Sequence, residues 1–131
     1  METQPPDPGS VVRSLFERMQ ARDWDGAAAL VAADATVRFT ETGERFVGDA
    51  FVAMNRAYPE GWTIEVVEVL SAGDRVAAQV RVDHRSDGEV NVFWCAGFYT
   101  VRDGHIADGV EHWVTEGGAA PPEWRAPFVT P

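Results

Sequence analysis

"EVNVFWCAGFYTVRDGHIADGVEHWVT", Glu89 to Thr115, decides the fold. It divides at "RDG" into two long runs rich in β-branched and aromatic residues, and Asp-Gly at that point is a tight-turn signal. Two similar runs precede it, "WTIEVVEVLSA" from Trp62 and "RVAAQVRVDHRS" from Arg75, with "GD" and "SDG" between them. Four long strands joined by such short turns form an antiparallel meander. Upstream of Trp62 the apolar spacing is helical. Ser10 reads as the cap of a helix with Val11, Val12, Leu15, Phe16 and Met19 on one face. "RDWDGAAALVAADA" reads as a second short helix opened by Asp23 or Asp25, "TVRFT" as a short strand and "ETGERFVGD" as a loop. A third helix spans Asp49 to about Tyr58, where Pro59 and Gly61 end it. The fold class is therefore α+β: three N-terminal helices packed on a curved antiparallel sheet, a cone closed around a cavity.

With 131 residues the chain has room for one core. Residues 1–9 read as a disordered tail, 10–115 as the single domain, and 116–131 as a Pro-rich tail docked through its aromatics. Eleven cationic side chains, all Arg, stand against 21 acidic ones, for a net charge of −10. Nucleic acid is excluded as a partner, since phosphate binding needs clustered cations. The absence of Lys removes Schiff-base chemistry and a phosphate-binding P-loop. No apolar run reaches the length of a membrane span. The N-terminus is polar, and the lone Cys95 has no partner for an internal disulfide, so a cytoplasmic location is expected.

The last strand carries the first chemical signal. Side chains alternate along a strand, so Glu111 shares a face with Trp113 and with the small Ala107 and Gly109, an arrangement that suits a pocket wall. Asp108 and His112 fall on the other face. In "QVRVDHRSDG" the alternation sets Gln79, Arg81 and Asp83 opposite Val80, Val82 and His84. The polar series is expected to face the cavity, where Arg81 and Asp83 converge with Glu111, or else to be a surface ion pair. Asn55, Tyr58 and Trp62 line the pocket mouth or pack a helix end on the sheet. Trp124 is either a lid or a docking anchor. His105 and His112 are seven residues apart with no His-x-His pair, so no metal site is expected. The strand at Val90–Val101 is apolar on both faces, which predicts a homodimer through the outer face of the sheet.

The helices, "DWDGA", "FVG" and the long meander resemble the nuclear-transport-factor-2-like fold, and within it the SnoaL-like polyketide cyclases and limonene-epoxide hydrolases. The resemblance runs from about Ser10 to Val114. Limonene-epoxide hydrolase is similar at "RVD" and at the Gly-x-Ile strand that follows. It implies that Arg81, Asp83 and Glu111 stand for an Asp–Arg–Asp trio, one carboxyl donating a proton while the other activates water. Val37 and Phe39 stand where that family places a Tyr and an Asn, and Phe39 becomes pocket wall. The steroid isomerases' Tyr on the first helix falls near Phe16 or Met19. The resemblance implies a cofactor-free acid–base enzyme acting on a small hydrophobic metabolite, or a non-catalytic ligand-binding or dimerisation domain.

Overall fold

The computed structural model describes residues 6–131. Residues 1–5 of the expected tail lie outside it, and its last two residues, Pro8 and Gly9, already belong to a helix. Helix α1 spans Pro8–Gln20, capped by Asp7, whose carboxylate accepts from Ser10 N at 3.2 Å. Ser10 is thus inside the helix rather than its cap, and Pro8 opens the first turn where no N–H is needed. The predicted stripe from Val11 to Met19 is almost entirely buried. Helix α2, Trp24–Ala28, is capped by Asp23 and ends after five residues. The expected helix does not continue. Val31–Phe39 forms strand β1, because pairing with the last strand satisfies its backbone where Ala's helical preference is worth only tenths of a kcal/mol per residue.

Strand β2, Arg45–Val47, pairs antiparallel with β1 in the segment expected as a loop. Helix α3 spans Ala50–Ala57, within its predicted range. Strands β3 (Trp62–Ala72), β4 (Arg75–Ser86), β5 (Glu89–Arg102) and β6 (His105–Thr115) form the meander with the predicted limits. The φ values at Asp87–Gly88 (51° and 79°) and Asp103–Gly104 (53° and 75°) are the doubly positive pair of a type I′ hairpin turn.

The sheet is a six-stranded mixed one, in the order β2-β1-β6-β5-β4-β3, with β1 parallel to β6. Two expectations are corrected here. The sheet is not purely antiparallel, and three helices do not precede it, since β1 and β2 lie between α2 and α3. Among the described residues there are four helical segments, of which only α1 and α3 reach eight residues. Helix α1 packs against β3 to β6 and closes the inner face. The C-terminal segment carries a 3₁₀ helix, Glu123–Phe128, but Trp124 is 72% and Phe128 80% exposed. The tail does not dock through its aromatics.

Register assigns the faces. One rung runs Ala78–Gly97–Glu111–Phe39 across β4, β5, β6 and β1, and an outward-facing one, three rungs along, runs Glu65–Arg81–Trp94–Val114 across β3 to β6. The inner rung meets the core. The outer one meets solvent, with Val114 60% exposed.

Candidate active site

Glu111 enters the interior because β6 alternates: Gly109, Glu111 and Trp113 point inward, His112 and Val114 outward. On the neighbouring strand Gly97 pairs with Glu111 and Tyr99 with Gly109. Both glycines are required there. A Cβ on Gly97 would run into the Tyr99 hydroxyl and ring, and one on Gly109 would lie 2.8 Å from Tyr99 Cδ1. The Tyr99 ring occupies the space they leave, packed edge-on to Phe16 with centroids 6.3 Å apart.

The Tyr99 hydroxyl donates to Glu111 Oε2 at 2.6 Å, and Trp113 Nε1–H donates to Oε1 at 3.0 Å. Glu111 is 1% exposed, and among the described residues no cation lies within ion-pair distance of it. Burial raises the Glu111 pKa above the usual carboxylate value, while the hydrogen bonds from Tyr99 and Trp113 pull the other way without cancelling it. Burial, and then the nearby Glu111 charge, drive the Tyr99 phenol well above its usual value, so it stays a donor. The Cys95 thiol is raised for the same reasons and remains a thiol.

The carboxyl opens onto a cavity of about 230 Å³. Phe16 and Met19 of α1, Phe51 and Met54 of α3, and Ile64, Val82 and Phe93 of the sheet give it an apolar wall. Phe39, Trp62 and Trp113 complete that wall, and Glu41, Thr42, Asn55 and the exposed Tyr58 line it from the β1–β2 loop and α3. Trp62 is held by Arg22, whose guanidinium lies 3.3 Å from the ring centroid. Arg22 Nη2 also donates to Trp62 O and to Glu60 Oε1, at 2.9 and 2.7 Å. Trp62 Nε1 is buried without a protein acceptor.

Of the residues expected at the site, Glu111, Trp113, Phe39, Tyr58, Trp62 and Asn55 do line one cavity. Arg81 and Asp83 do not. They occupy the outer face of β4, with Arg81 Nη1 2.7 Å from Asp83 Oδ1, a contact whose angle misses hydrogen-bond alignment. Their neighbour Val82 takes the inward place, because an apolar cavity selects the apolar series of that strand. The trio with Glu111 is not assembled. Trp124 is also outside the cavity. His112 Nδ1 meets Thr40 Oγ1 on the outer face, and Asp108 lies 4.0 Å from Arg75. Among the described residues no group of three His, Cys, Asp or Glu side chains is placed to hold a metal.

Sequence reading missed Tyr99, Arg22, Met54, Phe51 and Phe93. A glycine on each of two neighbouring strands, Gly97 and Gly109, was the available signal for Tyr99, since such gaps in a sheet admit a neighbouring ring.

The family profile of the SnoaL-like domain matches residues 12–109. The chain belongs to the SnoaL-like family. The match ends two residues before Glu111. Among solved structures, a candidate ketosteroid isomerase from Kribbella flavida DSM 17836 is 27% identical, covering 95% of this chain and 88% of its own, with a TM-score of 0.79. A limonene-epoxide-hydrolase-like epoxide hydrolase of M. tuberculosis is 17% identical over 82% of each chain, TM-score 0.71. A candidate polyketide cyclase from Xanthomonas campestris pv. campestris is 22% identical over 80% of this chain and 88% of that one, TM-score 0.66. The fold is the nuclear-transport-factor-2-like one. No curated protein matches the chain. Among the described residues no helix is long and apolar enough to cross a membrane.

Proposed function

We propose that this SnoaL-like domain is a cofactor-free acid–base enzyme in which Glu111 alone moves a proton on a small, largely apolar metabolite. One observation carries the reading: a fully buried carboxyl opens onto an apolar cavity and has no counter-ion. A carboxyl whose pKa burial raises above the usual carboxylate value is matched to giving and taking protons there. Tyr99 and Trp113 fix its two oxygens, so the proton is exchanged at a defined point of the cavity wall. Aromatic walls exclude water and hold the substrate's apolar body.

The reaction class favoured is isomerisation or cyclisation through proton abstraction beside a carbonyl, the chemistry that a single carboxyl supports. Epoxide hydrolysis by the trio is not proposed again, since Arg81 and Asp83 lie on the opposite face of the sheet from Glu111. A merely structural Glu111 would be locked in hydrogen bonds with no space beside it; the adjoining cavity of about 230 Å³ favours ligand binding.

The test is Glu111→Gln assayed on a panel of enolisable polyketide mimics. Gln keeps the shape and one acceptor but transfers no proton. Turnover is expected to fall by at least about a hundred-fold, the usual worth of general acid–base catalysis. Unchanged turnover in a folded variant refutes the role.

A further inference from the structure

The charge inventory of the cavity goes further than its shape. Its wall holds two carboxyl groups, Glu111 at depth and Glu41 in the β1–β2 loop, and no Arg, Lys or His. Arg22 stacks on Trp62 but is engaged by Glu60 and is not part of the lining. Seven aromatic rings on the wall, Phe39, Phe51, Trp62 and Trp113 among them, offer π-faces and edges. Among the other polar groups Trp62 Nε1 is a donor without a protein acceptor, while Asn55 and Thr42 keep oxygen lone pairs to offer. Asn55 donates to Phe51 O, and the Thr42 hydroxyl donates to Glu44, which leaves their oxygens' remaining lone pairs.

An anionic ligand would meet two carboxyl groups and no cation. A positively charged one would meet aromatic faces and a carboxylate, the combination that recognises alkylammonium groups. A buried charge is tolerated when paired, and among the described residues Glu111 has no cationic partner. We propose that the ligand of this cavity carries a positively charged nitrogen, which becomes the missing counter-ion of Glu111.

This rests on the reading of the cavity as a substrate site and names the substrate class. It also suits proton transfer. The Glu111 carboxylate and an ammonium centre together form a pair whose charge sums to zero. When the carboxylate takes a proton from a ligand carbon, the electron pair stays on the ligand and the sum over the pair is still zero. No step then leaves a net charge on the buried pair, while Glu41 lies at the exposed end of the lining.

Cation binding requires the ionised form of Glu111. Other titratable groups around it are Tyr99 and Cys95 from β5, both held in their neutral forms, and Glu41 and the Tyr58 phenol on the cavity lining. The surrounding residues of α1, α3 and β1 are Phe16, Met19, Met54, Asn55 and Phe39, none ionisable.

Calorimetric titration of the full chain with three probes of matched shape tests the proposal: meta-hydroxyphenyltrimethylammonium, meta-tert-butylphenol and meta-hydroxybenzenesulfonate. The ammonium is expected to bind at least about ten-fold tighter than its neutral isostere, and the sulfonate not to bind. Ammonium binding should tighten as pH rises toward neutrality and should release protons, seen as a heat that depends on the buffer's ionisation enthalpy. Glu111→Gln should lose both the preference and the buffer dependence. Equal or tighter binding of the neutral isostere to the native chain overturns the proposal, and so does an undiminished preference in Glu111→Gln. If the neutral probe wins while Glu111→Gln still abolishes turnover, only the charge of the ligand is overturned and the acid–base reading stands.

Discussion

Tyr99→Phe removes one oxygen and leaves the packing of the ring intact. The lost hydroxyl is the 2.6 Å donor to Glu111 Oε2, and Trp113 remains as the other donor. A hydrogen bond to a charged group is worth about 1.5–3 kcal/mol and a neutral one about 0.5–1.5 kcal/mol. The cost of the substitution therefore depends on whether Glu111 is ionised. Its folded pKa lies above the ordinary carboxyl value of 4.5, so its favourable contribution to folding is complete below about that pH and is lost as pH rises through the folded value. The Tyr99 bond opposes that rise, and its removal raises the folded pKa further. The expected destabilisation is about 1 kcal/mol in acid, growing to about 2 kcal/mol once Glu111 ionises in the native protein. Urea denaturation of both proteins at stepped pH measures it. Any turnover that needs the carboxylate should also show its acid limb moved to higher pH. A pH-independent difference, or one below about 0.5 kcal/mol throughout, refutes the coupling of Tyr99 to Glu111.

Gly97→Ala places a methyl against the Tyr99 ring, whose Cζ would stand 2.6 Å away, and forces the hydroxyl off Glu111. Overpacking costs about 1–3 kcal/mol, so this variant should melt below Tyr99→Phe in a thermal scan. Arg81→Ala, on the outer face, should leave turnover unchanged and cost about 1 kcal/mol or less in urea denaturation; loss of activity would contradict its placement. The outer face is also proposed as a homodimer interface, with Phe98 43% and Val114 60% exposed. Sedimentation at micromolar concentration should give about twice the 14.4 kDa chain mass, and Phe98→Glu should shift it toward monomer; a native chain that is wholly monomeric there refutes the interface.

Legibility followed the range of each signal. The four meander strands were readable to their ends because period-two runs alternate with two-residue Gly–Asp or Asp–Gly loops, both local features. Helix α1 was readable from its stripe, although its cap was misplaced from Asp7 to Ser10. Strand β1 was not readable as far as it extends. "ALVAADA" has an alanine-rich helical composition, and what makes it a strand is parallel pairing with β6, about seventy residues away in sequence. Faces were harder than strands. Because β5 is apolar on both sides, it does not orient β4, so Arg81–Asp83 reads as a cavity pair or as the surface ion pair that it is, with Val82 in the inward place. On β6 the Ala107–Gly109–Glu111–Trp113 series was asymmetric enough to be placed correctly.

Three choices in the inner sheet are each unfavourable to folding by themselves. Glycine at 97 and at 109 forfeits side-chain packing and strand preference, and a carboxyl at 111 is buried at 1% exposure without a cation. A leucine at 111 would fill the same core and carry no such burden. The three coincide because they serve one geometry. The glycines admit the Tyr99 ring, the ring delivers its hydroxyl beneath Glu111, and Glu111 then presents a constrained carboxyl to the cavity. Local rules fail together where a site is built. The stability forgone at 97, 109 and 111 is therefore the physical trace of the proton chemistry proposed for Glu111. A Glu111→Leu variant that is more stable than the native chain at neutral pH and inactive is the outcome this requires.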